Sequence, residues 1–382
     1  MGHEVHVLTG FPNYPYGKLY DGYRVRPVRH EVEGGIHVIR TALYPSHDAS
    51  TVKRATNYLS FAITSTCIGV PNLPHLDALW VFNSPVTVAM PMLTLKHLRR
   101  TPTLLHIMDL WPDSLLSTGF SNLLTNRLPF GAVSRIVDRM YSSADAIGCI
   151  SPSMNALLAR RGVPSTKLHY LPLWADETVY EPQEDNGELR AQLGFSGNQV
   201  VLMYAGAMGK AQDVVRLVEA FQQLPPESQL RLVLVGSGTL QAEIHQATLQ
   251  SSGRIVLRHG LSTLEMQAYM AMSDIHFVGF ADPHLAQYSM PSKVQTIMAS
   301  GRPIVAFNFG DVARVVKESS AGFLAEKHTA TSLAQTLIHI GNMPRTRLAE
   351  YGARARTYYE TAFGRKPGIE RVELLLRHIA MR

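Results

Sequence analysis

The chain has 382 residues, 46% of them apolar and 17% charged, which describes a folded protein rather than a disordered or fibrous one, with room for two domains of about 150 to 200 residues each. Its net charge of +6 lies wholly in the first half, since residues 1–175 carry 16 Lys and Arg against 10 Asp and Glu, while residues 176–382 carry 20 against 20. Such asymmetry suits an anionic substrate or an acidic membrane surface, whereas basic residues scattered without a recognised binding module argue against nucleic acid.

Cys67 and Cys149 are far apart in apolar surroundings, which suits reduced core residues of a cytoplasmic protein better than a disulfide or metal framework. The most apolar stretches, 84–95 and 143–151, are broken by Pro or charge before spanning length, and no secretory leader is read. Gly2–Gly10 reads as a strand with Val5 and Val7 on one face. A doubly wound domain opens with a strand, a glycine turn and a helix, and binds ligand where that first strand ends. Those pieces do not precede Val5–Thr9, so the sequence is expected to begin late, at a second strand; the alternative is an amino-terminal domain rebuilt in another way.

Gly10–Gly17 is too rich in Gly, Pro and Asn for a regular element and reads as a functional loop at a strand's carboxyl end. Asn13, Tyr14 and Lys18 are acceptor contacts there, or simply order the loop. A strand at Ile36–Arg40, a helix over 51–69, a strand at Leu79–Phe82 and a helix from Asn83 to about Arg100 follow. Pro102–Asp109 is a buried strand with His106 and Met108 on one face and Asp109 at its carboxyl tip, where ligands bind. Asp109 is therefore the first acid/base or sugar-binding candidate, unless it caps a helix beginning near Pro112; Asp113 then meets that helix's dipole. His106 reads equally as an interior histidine and as a catalytic one. A helix over Val133–Ser143 and a strand over Ala146–Ser151 come next, and Lys96, Arg99, Arg100, Arg127, Arg135 and Arg139 offer a membrane-contacting surface or a merely solvated one. His169–Asp176 leaves this domain, and the polar tract Glu181–Gly187 marks the boundary.

The second half alternates strand and helix: strand Gln199–Gly206, helix Val214–Leu224, strand Leu230–Gly236, helix Thr239–Gln250, strand Arg254–Leu257, helix Thr263–Met272, strand Asp274–Gly279. That order predicts a parallel sheet covered on both faces. The glycine turns Gly206–Gln212, with Gly209 and Lys210, and Gly236–Gly238 bring backbone amides near a phosphate, although neither the Walker loop nor the three-glycine dinucleotide fingerprint is present. Ser292 precedes a short apolar helix opened by Lys293 and closed by Gly301, and a strand runs through Ile304–Ala306. The lysine there is expected beside free helix amides, as a diphosphate ligand or else as a solvent-facing charge. Gly310 and Asp311 open a further helix whose amides can hold donor oxygens. Helices over 329–341, 345–361 and about 366–381 complete the chain, the last expected to pack back across the first domain. The division is 1–175, 176–365 and 366–382.

The ordered motifs Asp109-Leu110-Trp111-Pro112-Asp113, Leu173-Trp174-Ala175-Asp176, Gly206–Gln212, Gly236-Ser237-Gly238 and Pro291-Ser292-Lys293 with Gly301-Arg302-Pro303 resemble glycosyltransferase family 4. Within it the chain is similar to the bacterial cell-envelope branch that includes proteins assigned L-fucosamine transfer in O-antigen synthesis. The resemblance covers residues 2 to about 378. It implies an α/β chain of GT-B fold, with two Rossmann-like parallel-sheet domains facing a cleft, a glycan or lipid-linked acceptor on the first and a nucleotide sugar on the second. It further implies retention of anomeric configuration, no required metal or cofactor, and a cytoplasmic location with contact at the inner membrane's inner face.

By that resemblance Lys293 is the main diphosphate ligand, helped by Lys210, Ser292 and amides around Gly206, Gly209 and Gly236, with Gly310 and Asp311 on the donor. Asp109 and His106 remain for the chemistry beside Lys293. Three departures stand out. The family's two glutamates are matched by Tyr288 and Thr296, a hydroxyl lacking the carboxylate's charged, two-acceptor grip on a ribose. Gln212 stands where many members have a second lysine, and Met108 where many have a histidine. Transfer onto a small secondary metabolite, or a noncatalytic binding subunit of the same fold, are the competing readings.

Overall fold

The computed structural model describes residues 2–14, 17–46, 50–113, 127–185 and 187–381. Pro15 and Tyr16 of the first loop, the residues just beyond Asp113 where a helix was expected, and Asn186 of the polar tract lie outside them. The chain divides into two compact units: Met1–Ile150 with Asn155–Leu171 and Val372–Arg382, and Ser151–Met154 with Pro172–Arg371.

The first unit holds strands β1 (His6–Gly10), β2 (Val28–Glu33), β3 (Ile36–Thr41), β4 (Leu79–Phe82), β5 (Thr103–Ile107), β6 (Ala146–Cys149) and β7 (Leu168–Tyr170). Four of them form a parallel sheet in the order β4-β5-β6-β7. Every residue of β5 and β6 is buried, as near-continuous apolar runs flanked on both sides require. The other three make a separate sheet, β1-β3-β2, in which β1 runs parallel to β3 with His6 opposite His37. Strand β2 was not expected. Val28–Glu33 carries Arg29, His30, Glu31 and Glu33, so its alternation is weak, and it is held by antiparallel pairing with β3 across the Gly34-Gly35 turn. Leu8 of β1 and Leu79 of β4 pack on one cluster of Ile39, Val70, Leu73 and Leu95, so an apolar core spans both sheets although no ladder joins them among the described residues. The expected helix over 51–69 is regular as α1 (Thr51–Thr64), then widens into a π-turn at Ser65–Gly69.

The second unit contains β8 (Val200–Ala205), β9 (Leu230–Val235), β10 (Ile255–Arg258), β11 (Ile275–Val278), β12 (Ile304–Phe307) and β13 (Gly322–Ala325), all parallel, in the order β10-β9-β8-β11-β12-β13. Numbered within the unit this is 3-2-1-4-5-6, the doubly wound order, with the reversal between β8 and β11. Helix α2 (Val214–Gln222) buries Leu217, Val218 and Phe221 in a core shared with Val200, Leu202 and Tyr204 of β8. At the amino ends of β8 and β11 the buried Asp274 carboxylate accepts from Arg190 at 2.8 Å, from Arg345 at 2.9 Å and from the Val201 amide at 2.7 Å. That end is fastened by ion pairs; the carboxyl ends are left for ligand chemistry.

Candidate functional site

Strand β8 is central, apolar and buried until Ala205, and the chain then breaks at Gly206, whose φ of +142° few side chains adopt. Gly236, at φ +143°, ends β9 beside it. The two turns are bonded together: the Gly206 amide donates to Val235 O at 2.9 Å and the Met208 amide to Ser237 O at 2.8 Å. A Cβ on Gly236 would lie 1.9 Å from the Gly206 carbonyl oxygen, so close backbone approach requires glycine there, while Gly206 is required by its positive φ. Gln212 closes the first turn, its Oε1 accepting from the Gly209 amide at 3.2 Å. Where a lysine was expected to serve a phosphate, this side chain therefore serves the loop. Lys210 is exposed on the short turn between them.

Lys293 opens helix α3 (Lys293–Ala299). The buried Gln295 amide anchors that start, its nitrogen in the satisfied orientation donating to Pro291 O and Ser292 O at 3.1 Å. The Lys293 side chain reaches β8: its Nζ lies 4.1 Å from the Tyr204 ring centroid, and a Cβ on Gly206 would come within 2.9 Å of it. Its neighbours are thus the ring and the glycine turn of β8, not only the amides of its own helix as the sequence suggested. Burial lowers its pKa to about 8, with no carboxylate opposing that effect. A cation with no acidic partner among the described residues, beside two glycine turns at the reversal of a doubly wound sheet, is equipped to take an anionic oxygen.

The remaining expected site residues belong to one unit or the other. Ser292 is exposed and Tyr288 half-buried, both near the helix start. Thr296 lies one turn along α3, and its hydroxyl donates to Lys293 O at 3.0 Å, so its hydrogen is already committed within the helix. Gly310, at φ +70°, abuts the Ala286 carbonyl. Asp311 differs from expectation: it is 0% exposed and its Oδ1 accepts from Arg314 Nε at 3.1 Å, so the carboxylate faces inward and the first-turn amides are what this helix can offer.

In the first unit, Asp109 is exposed past the end of β5, its Oδ2 accepting from Ser84 Oγ at 2.9 Å. The buried Asn83 fixes that exit, donating to Asp109 O at 3.1 Å and accepting from the Met108 amide at 2.8 Å. In the sequence Asn83 reads only as the lead-in to a helix; its amide directly at a strand end is the available signal. Asp113 pairs with Arg161 through two bonds of 2.7 and 2.8 Å rather than standing free for a helix dipole. His106 corrects the expectation of a catalytic ring. It is 0% exposed, its Nε2 is 2.8 Å from Leu171 O, and burial lowers its pKa to about 4, so it is a neutral interior residue. Asn13 turns back on its own loop, donating to Phe11 O at 3.0 Å. No group of three or more His, Cys, Asp or Glu among the described residues could hold a metal ion, and no helix among them is long and apolar enough to cross a membrane.

Two Rossmann-like units of this topology, the second with a cationic site at its sheet reversal, are the GT-B fold of glycosyltransferases, which move a sugar from a nucleotide-sugar donor to an acceptor. Residues 1–174 match the family described as "Glycosyl transferase 4-like domain" and residues 199–342 that described as "Glycosyl transferases group 1". The chain belongs to these family-4-like glycosyltransferases. It is 28% identical over 313 residues to the Escherichia coli protein named "Putative colanic acid biosynthesis glycosyl transferase WcaI", covering 79% of this chain and 74% of that one. It is 22% identical over 280 residues to "Probable glycosyltransferase WbjE" of Pseudomonas aeruginosa, covering 70% and 68%. Its fold matches the crystal structure of Anabaena Alr3699/HepE in complex with UDP, with a TM-score of 0.65 at 18% identity over 85% of this chain and 84% of that one; at that identity the likeness is one of fold.

Proposed function

We propose that this chain is a retaining glycosyltransferase of bacterial surface-polysaccharide synthesis, moving a sugar from a nucleoside-diphosphate donor on the second unit to a glycan or lipid-linked acceptor on the first. The observation that carries the reading is the Lys293 ammonium, 4.1 Å from the Tyr204 ring beside the Gly206 turn and unopposed by a carboxylate. It would grip the diphosphate, with Lys210 and the amides from Gly206 to Gly209 and at Gly236 completing the cradle, and Ser292, Tyr288, Thr296 and the amides of Gly310 and Asp311 on the rest of the donor. The cell-envelope context draws on the colanic acid relative and on the sequence motifs. The L-fucosamine resemblance puts nucleotide-linked L-fucosamine among the donors to be assayed.

In the reaction the acceptor hydroxyl oxygen bonds to the anomeric carbon on the face the diphosphate leaves. The carbon–oxygen bond to the β-phosphate breaks, and the departing phosphate oxygen takes the hydroxyl proton. No protein base is demanded; positioning and stabilisation of the leaving charge are the enzyme's share. Asp109, exposed at the exit of β5, orients the acceptor hydroxyl. The basic excess of residues 1–175 suits docking of the first unit on the anionic cytoplasmic face of the inner membrane.

Calorimetric titration with UDP, GDP, ADP and dTDP tests the donor site. At least one should bind, and Lys293→Ala should weaken it about 30-fold, the worth of one charge-assisted hydrogen bond. No binding of any of the four, or an unchanged affinity in Lys293→Ala, would refute the reading.

A further inference from the structure

We propose that Tyr204 is the positioning residue of this diphosphate site: its ring face holds the Lys293 ammonium against the Gly206 turn and keeps it aimed before ligand arrives. The inference rests on the reading of Lys293 as the diphosphate ligand and extends it to a residue that makes no contact with the donor itself. Tyr204 is 0% exposed within β8, and its hydroxyl donates to Ala207 O at 2.5 Å. Its ring is therefore fixed at one end by the strand and at the other by the glycine turn. The ammonium lies 4.1 Å from the ring centroid, inside the roughly 6 Å range of a cation–π contact.

The choice of an aromatic ring has a chemical consequence. A carboxylate at this position would hold the lysine just as firmly but would cancel its charge and compete with phosphate. A ring attracts the cation through its quadrupole and carries no net charge, so the whole positive charge remains available to an incoming dianion. Burial holds the Tyr204 hydroxyl well above the ordinary range, so it stays a donor to Ala207 and never becomes a rival anion. Among the described residues His276 of β11 also interacts with Lys293; it is 1% exposed, lies 2.6 Å from Ser273 Oγ through Nε2, and stays neutral because burial, with Arg302 and Lys293 adding to it, lowers its pKa to about 3. The ring is thus the favourable neighbour that offsets the desolvation of the ammonium, which alone brings the lysine to about 8.

Two variants and two readouts test this. The Lys293 side chain is titrated by carbon-detected NMR of reductively methylated protein, which needs no ligand, and the tightest-binding diphosphate of UDP, GDP, ADP and dTDP is titrated by calorimetry between pH 6.5 and 9.5. Tyr204→Leu, which removes the ring, should lower the lysine's titration midpoint and weaken the diphosphate about tenfold at pH 7. Tyr204→Phe, which keeps the ring and loses only the hydroxyl, should retain both within about threefold. An unchanged midpoint in Tyr204→Leu, with near-ultraviolet circular dichroism unaltered, would overturn the proposal, as would equal losses in the Leu and Phe variants. If the midpoint moves as expected while no diphosphate binds, the ring's hold on the lysine stands and the donor reading fails, so the two failures are told apart.

Discussion

Lys293, Gly206 and Gly236 form one device in which each residue type is set by a distance. The ammonium comes within 2.9 Å of where a Gly206 Cβ would stand, and a Cβ on Gly236 would lie 1.9 Å from the Gly206 carbonyl oxygen. Gly206→Ala should therefore displace the lysine and weaken diphosphate about tenfold. Gly236→Ala, colliding with a backbone oxygen at a positive φ, should instead cost about 3 kcal/mol of stability, read as a fall in the urea midpoint. Because burial depresses the lysine's folded-state pKa from 10.5 to about 8, its charge is complete below that value and is lost as pH rises through it. Diphosphate affinity should accordingly be level near pH 7 and fall as pH rises through about 8, flattening at a loss no larger than the roughly 30-fold of Lys293→Ala. Thr296 is a contrasting case. Its hydroxyl hydrogen is bonded to Lys293 O, so it can meet the donor only as an acceptor, and Thr296→Val should weaken affinity about threefold, far less than Lys293→Ala, measured by the same titration.

At the level of elements, the two ends of the second sheet do different work. The carboxyl ends of β8 and β9 carry the glycine turns, and the amino ends of β8 and β11 carry Asp274 between Arg190 and Arg345. Asp274→Ala leaves the buried Arg190 without that partner and should cost about 3 to 5 kcal/mol in denaturant unfolding while sparing diphosphate binding in the folded fraction. Asp185 belongs to the same network. Burial alone would raise its pKa, but the Gly187 amide and the Arg190 and Arg345 guanidinium groups outweigh it and hold the carboxyl below its ordinary range. The stability it contributes is present above the ordinary aspartate range and is lost as pH falls through the depressed value; Asp185→Asn should flatten that acid limb of the stability curve.

The strands of this unit were legible because each is a short β-branched or leucine-rich run ending in glycine or a polar turn. Lys293 was legible as a cation at a helix start. Its true neighbours were not, since Tyr204 lies 89 positions earlier and meets it only in the folded unit. The inward turn of Asp311 and the burial of His106 are likewise products of packing, and a residue at a strand tip or helix start reads the same in sequence whichever way its side chain turns. Strand β2 escaped because its charged residues break the alternation that marks a half-buried strand.

Across the whole molecule, charge and chemistry divide between the units. The basic excess belongs to residues 1–175, and the Lys293 cation proposed to grip the diphosphate lies in the second unit. Sedimentation with phosphatidylglycerol vesicles should therefore capture the protein at low salt and release it by about 0.5 M salt, where screening shortens electrostatic reach. Retention at high salt would point to apolar insertion instead. The central claim is that the Lys293 ammonium and the Gly206 turn receive the donor diphosphate. The most direct measurement is a crystal structure with the tightest-binding nucleoside diphosphate: a phosphate oxygen should lie about 3 Å from Lys293 Nζ, with others facing the amides between Gly206 and Gly209. A well-ordered diphosphate bound elsewhere, with the ammonium still resting on Tyr204 and touching no phosphate, would contradict the account.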